Sequence, residues 1–294
     1  RFLAMGLWDP NANLCFRVLS LGKPRDINSK FFLKRLQLAN LSRKSLQNEL
    51  TTGYRVINGE NDGFPGLVLD RYEDTLVIKL YASSWFPLLA ELSELFRKEF
   101  SSKQVVLRLA QNIIKSLEPN SIYQDGLILY GKDKSSWVEF KENGLKFFAD
   151  VVEGQKTGFF LDQRNNRLKI RGMAKERSVL NVFSYSGGFS VYALAGGCRS
   201  LVEVDSNSFA LETSLRNLKL NFPNKSFPAS NIKQENGDAF QILAKMKNEK
   251  RQFDLVVLDP PAFARNKKQK KQALKAYVRL AKAGAEVTSG VLYA

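Results

Sequence analysis

The spacing of apolar and polar positions changes several times along the chain, and each change predicts an element. Residues 1–20 alternate apolar and polar around Asp9-Pro10-Asn11, which predicts a β-hairpin. Two strands do not make a domain, so residues 1–22 are expected to be the tail of one. With Ser29 as the expected N-cap, Leu33, Leu36, Leu41 and Leu46 form a helical stripe beside Lys34, Arg35, Arg43 and Lys44, ended by Gly53. Residues 23–53 therefore read as a linker helix.

The period then drops to two. YRVIN at 54–58, the loop GENDGFPG and LVLDRYEDTLVIKLY read as strand, loop and hairpin, with Glu73-Asp74 at the tight turn. An amphipathic helix over 85–100 and a strand over 104–110 complete a small α+β domain at 54–135, whose stretch 111–135 reads as loop. A final domain is expected over 136–294. It opens with a strand pair turning at Glu142-Asn143-Gly144, and a helix begins near Asp162. Strands near 178–183, 200–204, 228–232, 253–258 and 290–294 then alternate with helices over 188–196, 207–221, 238–248 and 267–284. That alternation predicts an α/β, Rossmann-like, doubly wound and mainly parallel sheet. The last strand would leave a sheet edge uncovered, which complete proteins avoid. As the chain also starts at Arg1 rather than Met, truncation at both ends is expected.

Composition narrows the chemistry. The chain has no histidine, which removes Ser-His-Asp and Cys-His catalysis, and two cysteines without histidine argue against structural zinc. Cys15 and Cys198 form no disulfide framework and suit a reducing, cytoplasmic setting. No apolar run approaches the roughly 20 residues that span a bilayer. No metal or membrane is therefore expected. The net charge of +16 favours a polyanionic partner. Arg265, Lys267, Lys268, Lys270 and Lys271 begin a basic run free of acids. Such a run alone fits a solvated helix face, but this one starts beside Asp259-Pro260-Pro261, so nucleic acid is the better reading.

The pieces that carry chemistry fall at successive strand ends, which a parallel sheet gathers on one rim. Gly187 and Gly188 stand where the first strand turns into its helix, letting backbone approach a ligand at a helix N-terminus. Asp205, 17 residues beyond Gly188, can accept both ribose hydroxyls of an adenosine or simply cap the next helix. Glu203 is expected to point to the opposite face of that strand. Asp238 can accept from an adenine amino group, or act only as an N-cap. After the fourth strand, Asp259 can read the polar edge of an extruded base while Phe263 stacks on its face, the alternative being a core Phe below a proline stop. The turn departs from G-x-G-x-x-G, and GQKTG at 154–158 departs from a phosphate loop at Gln155, before Lys156. Together these pieces read as the S-adenosylmethionine site of a methyltransferase.

YRVINGENDGFPGLVLDRY at 54–72, GQKTGFFLDQRNNR at 154–167, NVFSYSGGFSVYALAGG at 181–197 and LDPPAF at 258–263, with FFLKRLQLA at 31–39 and RVLS at 17–20, resemble the large-subunit (23S) ribosomal RNA methyltransferase I family nearly end to end. The resemblance implies an S-adenosylmethionine-dependent cytosine-C5 methyltransferase with an RNA-binding PUA domain, of which residues 1–22 would be the remnant. It implies cofactor contacts from Phe183, Ser184, Tyr185, Gly187 and Asp205, with Asp238 near adenine. Gln155, Lys156, Thr157 and Gln163 would close over the methionine end, and Asp259 would line the cofactor and, with Phe263, hold the target base. A homodimer is left open. Such chemistry needs a cysteine thiolate on carbon 6 of the base, and the family's cysteine would follow Ala294, so the fragment itself is expected to be inactive. A related enzyme with the same Asp-Pro-Pro-x-Phe turn, acting on guanine N7 without a thiolate, and a non-catalytic RNA-binding protein remain alternatives.

Overall fold

The computed structural model describes the chain apart from residues 11, 48–49, 132–135, 225–230 and 265–268. The described residues form two compact units, Arg1–Gly144 with Phe148–Asp162, and Leu145–Phe147 with Gln163–Ala294. The stretch Phe148–Asp162, expected by pattern in the last domain, thus packs within the first unit.

In the first unit β1 (Ala4–Trp8) and β2 (Phe16–Leu21) form the expected antiparallel hairpin. Helix α1 (Ser29–Leu41) is capped by Asn28, whose side chain accepts the Phe31 N–H, and not by Ser29. It ends at Leu41 rather than Gly53, because Phe32, Leu36 and Ala39 already complete its buried stripe. Gly53 instead opens the next strand. The strands β3 (Gly53–Asn58), β4 (Leu67–Tyr72) and β5 (Thr75–Leu80), helix α2 (Leu89–Phe100), strand β6 (Gln104–Leu109), the single-turn α3 (Gln111–Ile114) and β7 (Leu127–Tyr130) follow. Their sheet runs β3-β4-β5-β6-β7. Only β5 and β6 pair in parallel, because α2 crosses between them. Helix α3 and strand β7 occupy the stretch expected to be loop. Phe32, Phe64, Trp85 and Phe96 stack into an aromatic core beneath the helices.

A hairpin of β8 (Trp137–Glu142) and β9 (Leu145–Asp150) turns through Asn143 and Gly144. Both have positive φ, at 49° and 81°, the primed-turn geometry that Asn-Gly adopts most readily.

The second unit contains α4 (Arg164–Met173), β10 (Ser178–Val182), α5 (Gly188–Ala195), β11 (Ser200–Asp205), α6 (Ser208–Asn221), β12 (Ile232–Asn236), α7 (Ala239–Asn248), β13 (Phe253–Leu258), α8 (Lys270–Glu286) and β14 (Thr288–Tyr293). Every neighbouring pair in the order β12-β11-β10-β13-β14 is parallel, as expected for a doubly wound fold. β12 lies a few residues later than its pattern suggested. Leu180, Val182, Val202 and Val204 bury one face against Leu243, Met246 and Leu280 of α7 and α8. β10 is buried at every position, as a central strand of such a sheet must be. The chain leaves β10 toward β11 but leaves β13 toward β14, in opposite directions across the sheet. That reversal makes the carboxyl ends of β10 and β13 a topological switch point, where folds of this kind bind ligands. Among the described residues no helix is long and apolar enough to cross a membrane.

Candidate functional site

The loop leaving β10 is wound unusually tightly. Phe183, Tyr185 and Gly187 all take positive φ, at 63°, 46° and 76°. For Phe and Tyr this is a conformation that costs free energy and is kept where the surroundings demand it. Three backbone contacts hold it: Ser184 N–H to Val204 O at 3.0 Å, Gly187 N–H to Ser184 O at 2.9 Å, and Tyr185 N–H to the Asp205 Oδ2 at 2.8 Å. Gly187 caps α5, and a Cβ there would lie 1.9 Å from Ser214 Oγ. Gly187 is therefore required both for its φ and for space, whereas Gly188 simply starts the helix. The Ser184 and Ser186 hydroxyls are buried in this turn without a hydrogen-bond partner among the described residues. Unsatisfied buried polar atoms beside a glycine and a helix N-terminus suit the polar end of a ligand.

Asp205 does not cap the helix after it. That role falls to Asn207, whose side chain accepts from Phe209 and Ala210 N–H. The Asp205 carboxylate instead accepts Tyr185 N–H on one oxygen and Asn207 N–H at 2.9 Å on the other. It thereby ties the end of β11 to the loop of β10. The Asp205 carbonyl also accepts from Gly237 N–H and Asn236 Nδ2, each at 3.0 Å, which brings the end of β12 to the same rim. Asp238 caps α7 by accepting Gln241 N–H at 3.0 Å, and it is exposed.

Glu203 is placed differently from expectation. It lies on the same face of β11 as Asp205, because residues two apart on a strand share a face. It is fully buried and accepts from the Ser214 hydroxyl and, at 2.7 Å, from Gln234 Nε2. Burial pushes its carboxyl above the ordinary value, against hydrogen bonds from Ser190, Ser214 and Gln234 that pull it down. Ser214 thus both supports Glu203 and sets the space limit at Gly187.

At the end of β13, Gln163 Nε2 donates to the Asp259 Oδ1 at 3.4 Å. Gln163 in turn accepts from Asn166 Nδ2 at 2.6 Å, and Asn166 accepts from the Tyr293 hydroxyl at 2.9 Å. Gln163 and Asp259 are among the residues that stand out in the sequence, whereas Asn166, Tyr293, Asn207, Ser214 and Gln234 are not. Phe263 packs its ring 4.7 Å from Tyr277 and 6.3 Å from Phe240, against the core beneath α7 and α8. Its surroundings are those of the core-Phe alternative on at least one side of the ring.

Gln155, Lys156 and Thr157 belong to the first unit. There Thr157 is buried and donates to the Asp70 Oδ2 at 2.6 Å, sharing a second bond of 2.9 Å with the Tyr72 hydroxyl. Arg55 donates to both oxygens of Asp70, at 2.9 Å and 3.1 Å. Gln155 and Lys156 are exposed on this anchored turn, where Lys156 has a φ of 58°. Lys270 and Lys271 stand exposed in the first turn of α8, with no acid among them, opposing the helix dipole. Arg265, Lys267 and Lys268 lie outside the described residues.

The sequence pattern of the S-adenosylmethionine-dependent methyltransferase family matches residues 118–293. A ribosomal RNA large subunit methyltransferase of Deinococcus radiodurans is 44% identical over 289 residues, covering 97% of this chain and 70% of its own. A ribosomal RNA large subunit methyltransferase I of Shewanella denitrificans is 36% identical over 287 residues, covering 94% and 68%. A solved structure, SMU.776 in complex with SAH, superposes with a TM-score of 0.81 at 27% identity, over 99% of this chain and 72% of that one.

Proposed function

The chain belongs to the S-adenosylmethionine-dependent methyltransferases of the large-subunit ribosomal RNA family, and from that premise we propose that it methylates carbon 5 of a cytosine in 23S ribosomal RNA. It is an enzyme, and its cofactor is S-adenosylmethionine. When bound, the cofactor supplies an electrophilic methyl group; the residues of this chain hold and orient.

In this reading the cofactor's amino-acid end meets the loop Phe183–Gly187, whose buried Ser184 and Ser186 hydroxyls have no hydrogen-bond partner among the described residues. Asp205, already fixed by two backbone N–H donors, uses its remaining lone pairs on the ribose hydroxyls. Asp238 turns its exposed carboxylate toward the adenine amino group. Within the first unit Thr157 is anchored on Asp70, and Gln155 and Lys156 stand exposed on the same turn. Asp259 accepts from the polar edge of the target cytosine, and Phe263 borders the base. Residues 1–22, as part of a PUA domain, and the basic run from Arg265 through Lys271 contact RNA phosphates.

Carbon-5 chemistry requires a cysteine thiolate that adds to carbon 6 of the base. Neither cysteine of the chain fits. Cys198 is buried just before β11, at the end of that strand opposite Asp205, and Cys15 donates to Ala12 O in the hairpin loop.

The observation that carries this reading is the convergence on one rim of Asp205, the loop of β10 and Asp259, which accepts from Gln163 there. The test is transfer of labelled methyl from S-adenosylmethionine to purified bacterial ribosomal RNA by the full-length protein. Label is expected in 23S RNA, and Asp259→Ala is expected to lower transfer by about a hundredfold or more. Absence of label from every RNA would overturn the reading in favour of a binding role.

A further inference from the structure

We propose that Tyr293 and Asn166 are positioning residues that set the orientation of Asp259 through Gln163. The proposal rests on the reading of Asp259 as the group that holds the target base. It goes beyond that reading by adding two residues on other elements, α4 and β14, to the machinery of the β13 rim.

The polarity of the relay follows from chemistry. An ionised carboxylate only accepts, so the Gln163 side chain must turn its NH2 toward Asp259. Its carbonyl oxygen then faces Asn166 and must receive the Asn166 NH2 at 2.6 Å. The Asn166 carbonyl oxygen is left facing Tyr293, whose hydroxyl donates to it at 2.9 Å. Only this one orientation of the two amides satisfies all three contacts. The Tyr293 hydroxyl therefore donates at the head of a one-way chain that ends on the carboxylate.

The geometry explains why such a chain is useful. The longest of its three links, at 3.4 Å, is the one to Asp259. Gln163 alone has three rotatable bonds and would hold the carboxylate weakly. Gripped from behind by Asn166, it loses that freedom before a substrate arrives, which is how a supporting shell sharpens a site. Tyr293 stands at the end of β14, the strand paired beside β13, so its hydroxyl comes from a rigid element.

The test uses the full-length protein with Tyr293→Phe and, as a second variant, Asn166→Asp. The first removes only a hydroxyl. The second keeps the shape and can still accept from Tyr293, but cannot donate to Gln163. The structural readout is the side-chain amide resonance of Gln163 in selectively 15N-labelled protein. Both variants are expected to move it. A Gln163 signal unchanged in both would overturn the relay.

The functional readout is the split between kcat and cofactor affinity. Each variant is expected to lower kcat by about tenfold, with the calorimetric Kd for S-adenosylmethionine within about twofold. The pair combined should cost no more than Asn166→Asp alone, as members of one chain are not additive. A weakened Kd with unchanged kcat would overturn the proposal and assign Gln163 to the cofactor alone. Additive losses that track a falling Tm would reduce Tyr293 and Asn166 to packing. If the wild-type protein methylates no RNA, the proposed function fails, and the Gln163 resonance still decides the relay.

Discussion

The Asp205 carboxylate accepts the Tyr185 backbone N–H at 2.8 Å, so the acid that ends β11 also clamps the strained loop that ends β10. One side chain therefore joins the ends of β10 and β11. Replacing it with alanine is expected to weaken S-adenosylmethionine binding by about tenfold to a hundredfold, the range for losing hydrogen bonds to a charged group. Asp205→Asn should be nearly as damaging, because its NH2 must face one of two N–H donors, from Tyr185 or Asn207. Isothermal titration of the cofactor checks both. An Asn variant that binds like wild type would show that the clamp is not needed.

Gly187→Ala should destabilise the second unit by about 3 kcal/mol, combining a left-handed backbone with overpacking. The Cβ would meet the Ser214 side chain and its backbone, not a movable tip. Denaturant unfolding measures the loss. A shift below about 0.5 kcal/mol would mean that the turn opens freely.

Buried Glu203 gives stability a specific pH dependence. Its folded carboxyl titrates above the ordinary 4.5, so the folded state keeps a proton that the unfolded chain has lost. Stability contributed by this group therefore falls as pH rises from about 4.5 through the raised folded value, and is fully present below that window. Glu203→Gln removes this term while Ser214 and Gln234 can still bond to an amide. The Tm advantage of the variant over wild type should be larger at pH 8 than at pH 5. An advantage that does not grow with pH would contradict the assignment.

In the first unit, Arg55→Met strands the Asp70 carboxylate, which is fully buried and keeps only the Thr157 hydroxyl among the contacts described above. A loss of about 3–5 kcal/mol is expected, since an unpaired buried charge is left behind. Thr157→Val should cost less, about 1–3 kcal/mol. Thermal unfolding of the two variants side by side tests that order.

The sequence showed the doubly wound sheet clearly, because β10, β11 and β13 are short apolar runs separated by helices of matching length. It also showed the turns at Glu73 and Asn143, where local chemistry decides. It did not reveal β7 or α3, which are too short to display a period. The N-cap at Asn28 sits one residue before a serine that looks equally suitable. The face of Glu203 was legible in principle, since Asp205 lies two residues away on the same strand. Nothing local marks Asn166 and Tyr293, which are 127 residues apart and meet only in the folded unit. Likewise the anchoring of Thr157 on Asp70 crosses 87 residues.

The most direct test of the account is the identity of the methylated nucleoside. The full-length protein is incubated with methyl-labelled S-adenosylmethionine and unmodified 23S ribosomal RNA, and the digested nucleosides are separated by mass spectrometry. The account predicts that the label elutes as 5-methylcytidine. Label in 7-methylguanosine, or in any other nucleoside, would contradict it.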